Sequence, residues 1–259
     1  MKKTHSSWDP VADSYSKAVG EKGLYYHERV IFPHLLKLMG PLSSASKVVD
    51  LGCGQGIFSS QLPLECSYLG LDSSSLLIKE AKSRYREATR AFAQADLGRP
   101  LPPSFEKGVH THAVFILSLQ NIENGQRALQ SARELLEPKG RLFIVLNHPC
   151  FRIPRSTSWV VDAAKQIQYR RIDRYLSSHK VSIEMHPGSK SESPTTWSFH
   201  HSLSDYSQFL RSSGFVIEQM QEWCSDKKSE GGRAKLEDFA RAEFPLFLGL
   251  VTSVLGSLS

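Results

Sequence analysis

The stretch VVDLGCGQG, residues 48–56, constrains the fold more than any other part of the sequence. A short apolar run ends at Asp50, and glycines follow at alternate positions, Gly52, Gly54 and Gly56. Glycine has no β-carbon, so it adopts left-handed backbone angles without strain and lets another group come close to the main chain. The pattern therefore predicts a buried strand, a tight turn and a ligand held against the backbone of that turn.

Strand-like and helix-like segments alternate on both sides of this turn. Helical spacing over residues 24–40 precedes it, and GIFSSQL reads as the start of a helix after it. Strands two to five are predicted from YLGLD, TRAFAQADL, HAVFILSL and RLFIVLNHP, with amphipathic helices between strands two and three and between four and five. Regular alternation implies right-handed βαβ units, so the predicted class is α/β, a doubly wound parallel sheet with helices on both faces.

The alternation breaks after Pro149. Residues 151–200 are polar and too long for an ordinary connection, so we predict an insertion over the carboxyl edge of the sheet. SLSDYSQFLRSSGF then predicts a helix capped by Ser202 or Ser204, VIEQMQEW a strand, residues 224–243 a polar excursion with solvated charges, and PLFLGLVTSVL a last strand.

Composition excludes several classes of protein. A hydrophobic fraction of 40% and a charged fraction of 22% are ordinary for a globular chain, and no stretch matches an uninterrupted membrane helix. No apolar region follows the N-terminal lysines, and no C-x-x-C pair occurs among the four cysteines. We therefore expect free thiols, no metal site and a cytoplasmic location.

The formal net charge of +6 is partly concentrated between Arg152 and Lys180, where seven basic residues face two acids. This basic stretch predicts either a solvated surface or an edge that binds an anion or RNA.

The spacing of the glycines separates two kinds of cofactor site. In an open parallel sheet, ligands bind outside the carboxyl ends of the strands, which is where this turn lies. Dinucleotide enzymes use G-x-G-x-x-G with a pyrophosphate at a helix N-terminus. Here the third glycine comes one residue earlier, and Asp50 precedes the first, where it can anchor the loop or a ligand amine. A nicotinamide-dependent oxidoreductase is therefore disfavoured.

The motif DLGCGQG resembles the first motif of class I S-adenosylmethionine-dependent methyltransferases, of the small-molecule, type 11-like kind, and the resemblance continues in order over about residues 45–149. It implies a Rossmann-like sheet of seven strands, the last one antiparallel, with an insertion after the fifth. It also implies S-adenosylmethionine as cofactor.

The resemblance assigns roles to the residues at the strand ends. Asp72, which ends YLGLD and is followed by Ser73, would bind both ribose hydroxyls. Asp96 in AQADL would receive the adenine amino group, and the amide of Leu97 would address the ring. The predicted cofactor site thus joins Asp50, Gly52, Gly54, Asp72, Ser73, Asp96 and Leu97. The alternative is that these acids only cap turns.

The segment WDPVADSYSKAVGEKGLYYHERVIFPHLL is similar to the N-terminal helix that covers the cofactor in many small-molecule members of the family. Tyr15 and Tyr26 are the predicted contacts of this lid; the alternative for both is core packing. We expect one domain over residues 1–259, with a lid at 1–44 and a substrate-covering insertion at 150–200.

The acceptor side is predicted from the segment after the fifth strand, NHPCFRIPRSTSW. His148 is the candidate general base, and Arg152 and Arg155 are candidates to bind a carboxylate or phosphate. The alternative is a structural histidine with arginines in surface ion pairs. His200 and His201 are a second indication of where the acceptor pocket lies. At most one of them would face the pocket, because adjacent residues on an extended chain point in opposite directions.

The predicted function is methyl transfer to a small molecule, an anionic or an aromatic one, with no metal required. A second hypothesis is that the protein methylates RNA and binds it through the basic stretch. This hypothesis is less favoured, because no recognisable RNA-binding module and no Asn-Pro-Pro-aromatic tetrad appear in the sequence. A non-catalytic cofactor binder is a third. The sequence does not predict the oligomeric state.

Overall fold

The computed structural model describes residues 8–20, 23–184 and 195–256. Parts of the predicted lid (residues 1–7 and 21–22) and of the predicted insertion (residues 185–194) lie outside these ranges. The helices, numbered along the chain, are α1 (Ala12–Val19), α2 (Phe32–Met39), α3 (Ser75–Arg84), α4 (Gly125–Leu135), α5 (Leu203–Ser212) and α6 (Ala234–Glu243). The strands are β1 (Lys47–Leu51), β2 (Ser67–Asp72), β3 (Arg90–Gln94), β4 (His110–Ile116), β5 (Leu136–Asn147), β6 (Thr157–Asp162), β7 (Ile167–Ile172), β8 (His179–Glu184), β9 (Thr195–His200), β10 (Phe215–Trp223) and β11 (Phe247–Val254).

Seven strands form one sheet in the order β10-β11-β5-β4-β1-β2-β3. The pairs among β1 to β5 are parallel, whereas β11 runs antiparallel to both β5 and β10. The predicted doubly wound fold with an antiparallel last strand is confirmed. Because the strand order reverses between β1 and β4, their carboxyl ends leave a crevice at that edge.

Helices cover both faces of the sheet, which explains why the central strands read as continuous apolar runs. On one face the buried core includes Ala128 and Leu129 of α4 and Leu210 of α5. On the other face, Leu35 of α2 and Ala81 of α3 pack against the sheet. Ser202 caps α5 in a capping box with Asp205, so the first of the two predicted caps is the one used.

The helix predicted after the glycines is only a 3-10 turn, Ile57–Gln61. The hydroxyls of Ser59 and Ser60 donate to the carbonyls of Gly56 and Ile57, at 2.7 and 2.8 Å, and so compete with helical bonds. Pro63 then disfavours helical angles at the residue before it.

Two polar segments contain helices or strands that the sequence analysis did not predict. The polar insertion contains two antiparallel hairpins, β6–β7 and β8–β9, each a separate two-stranded sheet. The polar excursion at 224–243 contains α6, in which Ala240 is the buried residue. A helix that buries so little apolar surface gives no clear helical periodicity in sequence.

No helix in the described part of the chain has the length and apolar content to cross a bilayer.

Candidate functional site

A cavity of about 780 Å³ lies at the carboxyl ends of β1 to β4. Its floor is the glycine turn and the ends of β2 and β3, and its sides include the connection from β4 to α4. The N-terminal segment, within residues 8–27, and the β8–β9 hairpin cover part of the remaining side. The residues that line the cavity include Trp8, Tyr15, Leu24, His27, Gly52, Gly54, Asp72, Ser73, Asp96, Leu97, Arg99, Ser118, Glu123, Lys180, Trp197 and Phe199.

The glycine turn is shaped by backbone angles that only glycine adopts easily. Gly52 and Gly54 have φ values of +82° and +56°. A β-carbon on Gly52 would come within 2.5 Å of Ser118 Cβ, so the turn and the end of β4 can approach this closely only at glycine. A β-carbon on Gly54 would lie 3.4 Å from the Tyr15 ring, on the cavity side.

Asp72 is buried at the end of β2 and faces the cavity. Its Oδ2 accepts a hydrogen bond from the Gly54 amide at 2.9 Å, and its Oδ1 accepts one from the Ser74 amide at 2.8 Å. Burial raises the pKa of Asp72, and these amide donors act in the opposite direction. The carboxylate is therefore fixed in orientation, and Ser73 lines the cavity beside it.

Asp50 lies beneath the turn rather than on the cavity wall. Its Oδ2 accepts a hydrogen bond from the Tyr68 hydroxyl at 2.8 Å, and its Oδ1 has no hydrogen-bond partner among the described residues. Burial raises the pKa of Asp50 to about 7. An unpaired buried oxygen under the turn fits the predicted partner of a ligand amine, whereas no hydrogen bond between Asp50 and the turn supports a loop anchor among the described residues.

Asp96 and Leu97 line the cavity two and three residues after β3 ends. Asp96 Oδ1 accepts a hydrogen bond from the Gly98 amide at 3.0 Å, and its Oδ2 lies 3.1 Å from Arg99 Nε. About half of the Asp96 side chain is exposed, whereas Leu97 is buried. Asp96 can therefore accept a further hydrogen bond at this end of the cavity.

The structure separates the two predicted lid tyrosines. Tyr15 lines the cavity, packs edge-on against Trp8 and lies close enough to Asp72 and Asp50 that burial and then these carboxylates raise its pKa. Tyr26 is elsewhere: its hydroxyl lies 3.1 Å from Ser225 Oγ and its ring packs edge-on against Phe247.

His148 lies outside the residues that line the cavity. Its Nδ1 accepts a hydrogen bond from the Cys150 amide at 3.2 Å, and its Nε2 therefore carries the proton that it shares with Glu222 Oε1 at 2.7 Å. Burial lowers the pKa of His148, and Glu222 opposes that shift. With neither a free lone pair nor access to the cavity, His148 has the contacts of a structural residue, and the base role stays a prediction.

Arg152 and Arg155 also lie outside that lining. The Arg152 guanidinium stacks 5.1 Å from the centre of the Phe247 ring and borders a second cavity of about 20 Å³, which His200 and His201 also line. Arg155 has a φ of +60° in the turn before β6. The structure thus brings neither the arginines nor the paired histidines to the large cavity.

His27 lines the cavity and was missed from the sequence. It begins a π-helical turn, His27–Ile31, a form that recurs at functional sites. Its Nδ1 accepts a hydrogen bond from the Leu24 amide at 3.1 Å, and burial lowers its pKa to about 4, so the neutral ring presents Nε2–H as a donor. The signal in the sequence that could have pointed to His27 is Gly23, four residues earlier. A glycine is needed there because an added β-carbon would lie only 2.8 Å from His27 Cβ.

The hairpin β8–β9 contributes Lys180, Trp197 and Phe199 to the cavity, and these were missed as well. The alternation in TTWSFH is a strand signal that could have found the two aromatic residues. Within the described residues, no three His, Cys, Asp or Glu side chains are grouped as metal ligands. The arrangement can bind and align two molecules in a partly enclosed space.

Three features of this site fit S-adenosylmethionine: the open glycine turn, the oriented Asp72 carboxylate and the unpaired Asp50 oxygen beneath the turn. The cavity volume lies within the range of about 300–1,000 Å³ that is usual for small-molecule and cofactor sites.

Comparison with known proteins agrees with this fit. A family model described as a methyltransferase domain matches residues 49–144. No curated protein sequence matches the chain.

Solved structures resemble nearly the whole chain. An S-adenosylmethionine-dependent methyltransferase from Mesorhizobium loti is 25% identical, with a TM-score of 0.65 over 85% of this chain and 96% of the other. A putative enzyme of the same kind from Listeria monocytogenes is 21% identical, with a TM-score of 0.65 over 86% and 97%. The putative methyltransferase bound to the Trm112 methyltransferase activator in Haloferax volcanii is 15% identical, with a TM-score of 0.63 over 96% and 98%.

Proposed function

Since the chain is a class I S-adenosylmethionine-dependent methyltransferase, we propose that it transfers a methyl group to a small-molecule acceptor, anionic or aromatic, inside the large cavity. One observation carries this proposal. The N-terminal segment and the β8–β9 hairpin both line the cavity, which therefore has a wall on the side facing away from the sheet. A cavity that is covered on this side as well suits a compact acceptor better than a polymer.

The positions of the residues around the cavity suggest which part of the cofactor each would bind. Asp72 would hold the ribose hydroxyls, and Asp96 with the Leu97 amide would hold the adenine. Gly52 and Gly54 would leave room for the chain of the amino acid, with Asp50 beneath them. When bound, the cofactor supplies an electrophilic methyl group on a sulfonium, and no metal or covalent nucleophile is needed.

The contribution of the chain is alignment and exclusion of water. Holding two reactants in line contributes a large part of the rate of such a displacement. Trp8, Tyr15, Trp197 and Phe199 place aromatic surface around the acceptor space, which lowers its polarity. His27 also lines the cavity and, with its pKa lowered to about 4 by burial, stays neutral at physiological pH.

RNA methylation is the weaker alternative, because most of the basic stretch is already engaged. Arg152 stacks on Phe247, and Arg170 stacks on Trp159. Lys165 and Arg171 each lie within 4.0 Å of an acid. Such residues offer less free charge to a phosphate backbone than their number implies.

A single domain over residues 1–259, with residues 1–44 as lid and 150–200 as substrate-covering insertion, is part of this proposal. Tyr15, Lys180, Trp197 and Phe199 support it, since they come from these two segments and line the cavity. A cytoplasmic location stays a prediction.

The proposal is tested with S-adenosylmethionine labelled on the methyl group. The purified protein is incubated with a small-metabolite extract and, separately, with total RNA, and the Asp72→Ala variant serves as the control. We expect label in low-molecular-weight products of the wild type alone. Label confined to RNA would contradict a small-molecule acceptor, and no transfer in either arm would leave only a cofactor binder.

A further inference from the structure

One wall of the cavity combines a cation with two aromatic rings. Lys180 of β8 is directly opposite Phe199 of β9, and Trp197 lies two residues before Phe199 on the same side of the hairpin. Lys180 Nζ lies 4.5 Å from the centre of the Trp197 ring and 5.3 Å from that of Phe199. Both rings therefore hold the ammonium group at the edge of the acceptor space by cation–π attraction.

The ion pair made by Lys180 is weak. Glu123 Oε1 is 3.6 Å from Lys180 Nζ, and the two side chains are 75% and 42% exposed. Exposed pairs of this kind contribute little, because both groups remain well solvated when they separate. A carboxylate entering the cavity can therefore replace Glu123 as the partner of Lys180 at small cost.

Lys180 is the cation best placed for this exchange. Arg99 also lines the cavity, but its Nε is 3.1 Å from Asp96 Oδ2, at the end predicted to hold adenine. The acids Asp72 and Asp96 are assigned to the cofactor. The predicted anion binders Arg152 and Arg155 lie outside the cavity lining, so the positive charge on the acceptor side comes from the hairpin.

We propose that the acceptor is a flat aromatic molecule bearing a carboxylate, that Lys180 binds this carboxylate in place of Glu123, and that Trp197 and Phe199 pack beside the aromatic ring. Aromatic side chains favour stacked or edge-on packing with another ring, and Trp8 and Tyr15 line the same cavity. The inference rests on the proposed methyltransferase function, since it deepens the acceptor class of that same site.

The experiment is calorimetric titration of the protein loaded with S-adenosylhomocysteine. The probes are three carboxylates, namely 4-hydroxybenzoate, anthranilate and indole-3-acetate, the uncharged 4-hydroxybenzamide and the cationic 4-hydroxybenzylamine. We expect at least one carboxylate to bind, with 4-hydroxybenzamide and 4-hydroxybenzylamine at least roughly tenfold weaker than the best carboxylate, as the loss of a charge-assisted contact predicts.

Three variants make the test specific. Lys180→Met should weaken the carboxylate roughly tenfold or more and remove its advantage over the amide. Glu123→Gln should strengthen carboxylate binding, because it removes the competing partner. Lys165→Met is the matched control, since Lys165 is an exposed lysine with an acid at 4.0 Å in the other hairpin, and it should change nothing.

The outcomes separate the two proposals. Failure of S-adenosylhomocysteine to bind the wild type would reject the proposed function. If it binds but no carboxylate does, or if the amide and amine bind equally well, the acceptor class is wrong. Weaker amine binding after Glu123→Gln, with carboxylates unaffected by Lys180→Met, would instead assign the site to a cationic acceptor.

Discussion

The Gly54 amide donates a 2.9 Å hydrogen bond to Asp72 Oδ2, which joins the turn after β1 to the end of β2. Two features that the sequence separates by 18 residues thus form one unit. The bond orients the carboxylate, while each oxygen retains a lone pair for a ligand. Any change at either residue should therefore affect both the turn and the ribose contact.

Replacement of Asp72 tests this unit. Asp72→Ala removes both the acceptor for the ribose hydroxyls and the partner of the Gly54 amide. In Asp72→Asn, one of the two oxygens that accept hydrogen bonds is replaced by an NH₂ group, which donates. We expect S-adenosylhomocysteine affinity to fall about 10- to 100-fold in calorimetry, because hydrogen bonds to a charged group are the strong ones. Asp162→Ala, in the β6–β7 hairpin, is the control, and equal affinity in all variants would remove Asp72 from the site.

A comparison of alanine substitutions at Gly52 and Gly108 separates the stability cost of left-handed backbone strain from that of steric overlap. Gly108 has a φ of +71°, and a β-carbon added there would meet no atom within 4 Å, so Gly108→Ala should cost only the ~1–2 kcal/mol of left-handed strain. Gly52→Ala should cost clearly more in urea unfolding, because its β-carbon overlaps Ser118. Equal losses for the two variants would show that the turn relaxes freely.

Gly54→Ala should behave differently from Gly52→Ala. Its β-carbon would make ordinary contact with Tyr15, at 3.4 Å, so the stability loss should match that of Gly108→Ala. It would, however, project into the cavity, and we expect S-adenosylhomocysteine affinity to fall. Unchanged affinity would mean that the ligand does not approach this part of the turn.

The cofactor half of the site follows from sequence because it is built from local rules. A glycine turn after a buried strand and acids at strand ends define one edge of a parallel sheet before any side-chain packing is known. Asp72 and Asp96 were therefore predictable, as was their position on a common cavity.

The acceptor half depends on tertiary packing, which sequence reasoning could not supply. Arg152 has the sequence context of an anion binder, but its guanidinium packs on Phe247 of a strand almost one hundred positions away. Lys180 lines the cavity because the β8–β9 hairpin folds back over the edge of the sheet. Neither the length nor the direction of this hairpin is encoded in a short sequence motif. His27 is a lone histidine, for which burial is the ordinary explanation.

Stability should depend on pH through Asp50. Its pKa is raised to about 7 in the folded chain, against about 3.9 when unfolded. Its contribution is fully present below pH 4 and is lost as pH rises through 7, because the unfolded chain releases the proton first. Relative to Asp50→Asn, the wild type should lose roughly 2–4 kcal/mol of unfolding free energy between pH 4 and pH 8.

Urea unfolding at several pH values, without cofactor, measures this difference. Asp162→Asn serves as the reference for an acid whose side chain is about one-third exposed. A constant difference between wild type and Asp50→Asn across the range would show that Asp50 is ionised in the folded protein.

His148→Ala distinguishes its two roles. The Cys150 amide and Glu222 would lose a buried partner, so we expect the unfolding free energy to fall by ~1–3 kcal/mol. Methyl transfer per folded molecule, measured with the acceptor found by labelling, should change little. A large drop in kcat with stability unchanged would support the general base predicted from sequence.

A crystal structure of the protein with S-adenosylhomocysteine tests the assigned cofactor site most directly. We expect both ribose hydroxyls within about 3.2 Å of the Asp72 carboxylate, with adenine beside Asp96 and the Leu97 amide. A ligand bound elsewhere, or one in the cavity whose ribose makes no contact with Asp72, would contradict this assignment.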